Sequence, residues 1–396
     1  MNVMAKLLST FAPPFKLIGA YFVISIVFAI FSVFLYKFSD FDVLLNLQTA
    51  TFLHIFLVGF VISIIKGSIY QLSSVILNRA FFTLKGAYIN VFAYTLALIL
   101  FLNGMFFENT LLIYLGSIIL FLSLLYFDIC YLLSFLNLKI SSFSQLCLFV
   151  SAIMFLMGIC LGMLLVLIMF GWLDVDFITI LRFHLYFVFG FIFFTVIGAS
   201  SVLLPMFSLA HNVNFGLFYA SFTLYISGFF LIWFLLDGAL KVILSAAVLA
   251  ILQWILILKN RVRRAYDYWN LNLIFSFFML GFSIFAYSFL NLNLAVFTLF
   301  FGFLYPFIVA HIYKIMPFLI WYHYISKFVG KLKIPNLEDM IMKKTAYFGL
   351  IFNMLAIFFI FFKFEYLAQV FMLVSVILVL VNMINFLRYI NFGVKL

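Results

Sequence analysis

HLYFVFGFIFFTVIGASSVLLPMFSLAH, residues 184–211, is the stretch that decides the fold. It is long and apolar enough for one transmembrane helix, with a histidine at its start and a proline near its end. Gly198 follows Gly190 after eight residues, and Pro205 follows after seven more. The same spacing of small residues recurs twice elsewhere in the chain.

The two further copies are HIFLVGFVISIIKGSIYQLSSVIL (54–77) and GFLYPFIVAHIYKIMPFL (302–319). All three contain a Gly-Phe pair followed, eight residues after the glycine, by a second small residue. The aligned pairs of small residues are Gly59/Gly67, Gly190/Gly198 and Gly302/Ala310. A repeat of this kind decides the architecture.

The composition predicts an all-α polytopic membrane protein. Of 396 residues, 69% are hydrophobic and 8% charged, whereas soluble domains carry about 25% charged residues. The first apolar segment is long and is not followed by a signal-peptide cleavage site. Twelve apolar segments are candidate spans, at about 16–36, 48–77, 87–107, 110–135, 144–172, 178–208, 215–236, 239–258, 268–289, 293–325, 345–362 and 366–387.

The charges are divided between the two sides of these spans. The connections on the side of the N-terminus carry Lys6, Arg79, Lys85, Lys139, Lys259, Arg261, Arg263, Arg264, Lys327, Lys331, Lys333, Lys343, Lys344, Arg388 and Lys395. The opposite connections carry Asp40, Asp42, Glu108, Asp174, Asp176, Asp237 and Glu365, with Lys37, Lys241 and Lys363. This positive-inside pattern predicts cytoplasmic termini in a cytoplasmic (inner) membrane. It also explains the net charge of +11 without a nucleic-acid partner.

The repeat falls on predicted spans two, six and ten, so each unit contains four helices. The chain is therefore expected to form a single transmembrane domain, 1–396. Its three parallel repeat units, approximately 1–140, 141–258 and 259–396, would be related by a pseudo-threefold axis. Small residues two turns apart allow neighbouring helices to approach closely.

Two histidines are the leading candidates for a cofactor site. His54 and His184 precede the Gly-Phe pair by five and six residues, so they should lie at similar depth in equivalent spans. Histidine is expensive inside a membrane, and neutral imidazole binds metals and haem iron. The alternative is that both side chains only form hydrogen bonds to backbone or water.

Twelve spans, three four-helix units and histidines near the outer ends of spans two and six resemble subunit I of the haem–copper oxidases. By this resemblance, His54 corresponds to a haem ligand and His184 to a copper ligand. The rest of the ligand set does not carry over. Span seven has no histidine, and His311 in span ten lies 14–15 residues deeper than the pair, about 21 Å along the axis.

The chain is therefore more similar to a divergent relative than to a complete terminal oxidase. The NnrS-type haem- and copper-containing membrane proteins and uncharacterised oxidase-subunit-I-like proteins are examples. The resemblance implies haem and/or copper, a respiratory or electron-transfer partner, and a redox or nitrogen-oxide stress function. A relative that has lost its cofactors is the other reading.

A second set of polar residues lies deeper in the predicted spans: Lys66, Asp128, His311, Tyr313 and Lys314. Asp128 could pair with either lysine and form a layer that relays protons or binds substrate. The alternative is that the lysines extend to the interface and Asp128 is structural. A cofactor-free transporter or permease would use this layer, and a respiratory-complex assembly partner would need no such site. No motif typical of soluble enzymes is present, so catalysis is left open.

Overall fold

A computed structural model describes residues 11–43, 45–262 and 264–392. Three of the basic residues used for the topology prediction, Lys6, Arg263 and Lys395, lie outside the described residues. Within the described ranges the secondary structure is helical, without β-strands. The predicted all-α class is therefore confirmed.

The helices of the described chain are α1 (Phe15–Tyr36), α2 (Leu47–Leu77), α3 (Ala87–Phe106), α4 (Thr110–Leu133), α5 (Phe143–Met169), α6 (Phe177–Ser208), α7 (Gly216–Ile232), α8 (Leu236–Lys259), α9 (Tyr268–Phe289), α10 (Leu292–Phe328), α11 (Lys343–Phe361) and α12 (Glu365–Asn391). All except α7 are long and apolar enough to cross a membrane, which gives eleven candidate spans among the described residues. They indicate a multi-pass protein in a lipid bilayer. Helix α7 has 17 residues because the chain turns at Phe234 and Leu235, so the twelfth span stays a prediction.

Short polar side chains begin several of these apolar helices. Asn46 accepts hydrogen bonds from the backbone at the start of α2, and Asn109 does so for α4. Asp176 and Asp267 cap α6 and α9 in the same way. Because the first backbone N–H groups of a helix have no partner within it, such caps stabilise the starts of these helices.

Contacts between Cα atoms divide the chain into two compact units. Unit 1 contains Ser68–Arg264 together with residues 11–13, and unit 2 contains Pro14–Gly67 together with residues 265–392. The division falls inside α2, after Gly67. Unit 1 therefore holds the end of α2 and helices α3–α8, while unit 2 holds α1, the start of α2 and helices α9–α12. The predicted single domain and its three repeat units stay predictions.

In unit 2 the repeat glycines lie against the helix that precedes each of them. A Cβ atom at Gly59 would lie 2.8 Å from Cγ of Phe28 on α1, and one at Gly67 would lie 3.0 Å from Cβ of Tyr21. Gly302 on α10 approaches α9, where an added Cβ would lie 3.0 Å from Cβ of Met279. Any larger side chain would push these helix pairs apart.

Unit 1 shows the same arrangement between α5 and α6. A Cβ atom at Gly190 would lie 3.1 Å from the sulfur of Met154, and one at Gly198 would lie 2.7 Å from Cβ of Cys147. The partner of the second glycine lies seven residues earlier on the preceding helix than the partner of the first, as Tyr21 lies seven residues before Phe28 on α1. The spacing of small residues therefore corresponds to one recurring helix–helix contact.

Two of the three repeat helices widen into π-helix beside their Gly-Phe pair. The π-helical segment Ile55–Ile62 of α2 begins four residues before Gly59, and Thr298–Leu304 of α10 begins four residues before Gly302. Helix α6 is a continuous α-helix at the corresponding position. A π-helical turn frees backbone groups from the α-helical pattern, and the Asn353 side chain donates to the Phe301 carbonyl at 2.9 Å.

Candidate functional site

His54 is the last residue of α-helix before the π-helical segment of α2, in unit 2. Its Nδ1 atom lies 2.7 Å from the Ala50 carbonyl oxygen. Because a carbonyl oxygen can only accept, Nδ1 carries the proton and the lone pair of the neutral ring is on Nε2. The backbone one turn earlier thus sets the tautomer and the orientation of His54.

His184 has the same tautomer, but its acceptor comes from another helix of unit 1. Its Nδ1 atom lies 2.9 Å from the Gly158 carbonyl oxygen on α5. One turn further along α5, a Cβ atom at Gly162 would lie only 3.0 Å from Cε1 of His184. Gly162 therefore leaves a cradle that a larger side chain would fill, and the imidazole of His184 occupies it. Again the lone pair is on Nε2.

A fixed Nδ1–H donor and an Nε2 lone pair are the usual condition of a histidine that binds a metal or haem iron. The two rings therefore suit haem or copper by donor chemistry. They belong to different units, so the prediction that they share one site stays a prediction. In the described part of the chain, no three His, Cys, Asp or Glu side chains form a group that could hold a metal ion. Haem, which can be held by a single proximal histidine, needs fewer protein ligands than such a group.

Aromatic rings join the two π-helical segments within unit 2. Phe56 of α2 stacks on Phe300 of α10 with ring centroids 4.7 Å apart, and it meets Phe301 edge-on at 5.2 Å. Phe52, two residues before His54, also packs on Phe300 and Phe301. These rings pack α2 against α10 close to His54. The sequence indicated an aromatic-rich chain but not this pairing.

Lys314 of the predicted polar layer forms an ion pair that the sequence did not reveal. Its Nζ atom lies 3.1 Å from Asp267, the capping residue of α9, and 4.0 Å from Glu338. The ammonium also lies 5.5 Å from the ring centroid of Tyr268 and 5.7 Å from that of Trp269. The sequence signal for Asp267 is its position just before the apolar run of α9.

His311 and Tyr313 lie beside Lys314 on α10. The Nδ1 atom of His311 lies 2.7 Å from the Phe307 carbonyl oxygen, and its ring packs on that phenylalanine. Tyr313 packs edge-on against Tyr268 at 5.5 Å. Tyr313 thus joins the cluster around Lys314 through Tyr268, whereas His311 packs on Phe307, one turn earlier in α10.

The other two residues of the layer are fully buried. Lys66, in unit 2, places its ammonium 5.1 Å from the ring centroid of Tyr21. Asp128 belongs to unit 1, and neither of its carboxylate oxygens has a hydrogen-bond partner among the described residues. A pairing of Asp128 with either lysine stays a prediction.

Asp176 caps α6, the helix that carries His184, and lies outside the membrane-spanning segment. Its carboxylate accepts from the Thr179 hydroxyl at 2.5 Å and from the Thr179 backbone N–H at 3.0 Å. These hydrogen bonds hold the pKa of Asp176 below its usual value, and the bond from the Thr179 hydroxyl has the largest effect. The ionised form is therefore the one that caps the helix.

No protein-family model matches this sequence, and neither does any curated protein.

Proposed function

We propose that the protein is an inner-membrane protein that holds haem or copper through His54 and His184. In this proposal it is a divergent relative of oxidase subunit I that serves redox or nitrogen-oxide stress chemistry and is not a complete terminal oxidase. The observation that carries the proposal is the backbone carbonyl at Nδ1 of each histidine, which directs the lone pair to Nε2. The equivalent positions of the two residues in the sequence repeat add to it.

The chain's own contribution would be orientation. The Ala50 and Gly158 carbonyls hold the two rings, and the Gly162 cradle receives His184. A bound haem or copper would supply electron transfer or the binding of a small diatomic molecule. A respiratory or electron-transfer protein would be the natural partner.

The test is an absorption spectrum with iron and copper analysis of protein purified from haem-supplemented cells. We expect a Soret band or bound copper in the wild type and its loss in His54→Ala and His184→Ala. His211→Ala is the matched control, because His211 is exposed beyond the end of α6. A spectrum unchanged by both substitutions would refute the residue assignment.

We further propose that α7 is the twelfth span, that both termini are cytoplasmic, and that the chain contains three four-helix repeats. The 17 residues of α7 extend about 25 Å, near the lower limit for a membrane span. The recurring contact at Gly59, Gly190 and Gly302 supports the repeat. Reporter fusions at residue 213, at residue 235 and after the C-terminus test the topology, which requires the first and third on the cytoplasmic side and the second outside.

A cofactor-free transporter is the second candidate, and buried Asp128 favours it. A carboxyl group without a hydrogen-bond partner is costly inside a membrane unless it is protonated or binds something. In this account Asp128→Asn abolishes substrate uptake, whereas haem depletion leaves it unchanged. Uptake that survives the substitution would exclude Asp128 from the pathway.

A further inference from the structure

Lys327–Lys333, with the sequence KFVGKLK, begins in the last two residues of α10 and forms a short arm on unit 2. Lys327, Lys331 and Lys333 are exposed. Between them Val329 is 55% exposed and Leu332 39% exposed, although the arm lies outside the apolar part of the span. A positive φ at Gly330 (+75°) turns the chain between the two apolar side chains. The arm thus presents apolar and cationic groups together.

The positive charge of this arm is not neutralised by the neighbouring acids. Lys327, Lys331 and Lys333 form no ion pair with any described residue. Glu338 lies 3.0 Å from Lys343, and Asp339 accepts from the Asn336 backbone N–H at 2.9 Å. Both carboxylates of the segment that follows the arm, Glu338 and Asp339, are therefore already engaged.

The segment after the arm is hydrogen-bonded to α12. The Asn385 side chain donates to the Met340 carbonyl at 2.6 Å, and the Met342 N–H donates to the Asn382 side chain at 2.9 Å. The Tyr389 hydroxyl donates to the Asp339 carbonyl at 3.2 Å. The arm is therefore joined to α10 at its start and held close to α12 by the bonds that follow it. This keeps it near the ends of these two apolar helices, where they would leave the membrane.

We propose that Lys327–Lys333 docks on anionic phospholipid headgroups. The three ammonium groups contact lipid phosphates, while Val329 and Leu332 enter the interface between headgroups and acyl chains. Charge complementarity and the position at the span end select this partner. The proposal needs only the membrane and is independent of any cofactor.

The test uses an environment-sensitive fluorophore on Leu332→Cys, in a Cys160→Ser background because Cys160 is the exposed native cysteine. The protein is placed in nanodiscs of phosphatidylcholine alone or mixed with phosphatidylglycerol. We expect a blue-shifted emission, quenched by spin-labelled lipid, only with phosphatidylglycerol, and its reversal at high salt. Val43→Cys is the matched control, because Val43 is also an exposed apolar residue, at 50%, but lies in the connection that carries Asp40 and Asp42.

Replacing all three lysines by Gln should lower the ratio of docked to undocked arm by about fivefold per lysine, or about a hundredfold in total. The corresponding triple Arg variant should keep the lipid response. The proposal is overturned if emission is the same in both lipids, if the Gln variant responds like the wild type, or if Val43→Cys shows the same shift. A label that is protected only by added soluble protein would also overturn it.

Discussion

Replacing Asp267 should separate its two roles, as the cap of α9 and as the partner of Lys314. Asp267→Asn keeps an oxygen that can accept from the Asn270 N–H, now at 3.0 Å, but removes the charge 3.1 Å from Lys314. Asp267→Ala removes both. The two variants therefore measure the ion pair alone and the ion pair with the cap.

The magnitudes follow from burial. Breaking a fully buried ion pair costs about 3–5 kcal/mol, but the Lys314 and Asp267 side chains are 18% and 12% exposed, and Glu338 remains 4.0 Å away. We therefore expect a loss of about 1–2 kcal/mol for Asp267→Asn, since solvent and Glu338 offset part of the cost. Asp267→Ala should lose about 1 kcal/mol more, the usual contribution of an N-cap.

The assay is unfolding by SDS in mixed micelles, followed by circular dichroism. Adding Lys314→Met to Asp267→Asn should recover stability, because it removes the lysine charge left without its closest partner. An Asp267→Asn variant as stable as the wild type, or a further loss of stability on adding Lys314→Met, would refute a stabilising ion pair. Equal losses for the Asn and Ala variants would contradict the capping role.

Three further expectations concern packing, orientation and pH. Gly198→Ala should lower the free energy of unfolding by about 1–3 kcal/mol in the same assay, because its Cβ would lie 2.7 Å from Cβ of Cys147. Gly281→Ala on α9 is the control, because a Cβ there has open space and should not lower stability. Equal losses would argue against the close contact at Gly198. Gly162→Ala should displace the His184 ring, which would shift its NMR signals or the spectrum of any bound cofactor. The far-ultraviolet circular dichroism should stay constant, because the helices are retained. An unmoved ring would refute the cradle at Gly162. The stabilisation from Asp176 is present above its unfolded pKa of about 3.9 and is lost as pH falls through its lower folded pKa. Asp176→Asn should therefore make the free energy of unfolding depend less on pH in the acid range. An unchanged pH dependence would show that the cap does not contribute to stability.

Length and composition were enough to predict the helices, whose ends lie within about four residues of the expected ones, because an apolar segment must satisfy its own backbone inside a bilayer. The spacing of small residues also predicted close helix contact at Gly59, Gly190 and Gly302. The π-helical segments could not be predicted, because their residues do not differ in kind from those of the adjoining α-helix. They depend on tertiary partners such as Asn353, which donates to Phe301.

In the candidate site, too, local contacts can be predicted from the sequence and contacts between helices cannot. The acceptor of His54 is local, four residues earlier in its own helix, and is therefore accessible to sequence reasoning. The acceptor of His184 is Gly158 on another helix, and the partner of Lys314 is Asp267, 47 residues away. Such pairings arise only when helices pack, so the sequence could suggest the ionisable residues but not their partners.

The most direct test of the account is the absorption spectrum and metal content of the purified wild-type protein beside His54→Ala, His184→Ala and His211→Ala. We expect bound haem or copper in the wild type and in His211→Ala, and its loss when either His54 or His184 is replaced. A wild-type protein with no Soret band and no copper or iron, purified from cells supplied with both, would contradict the central claim.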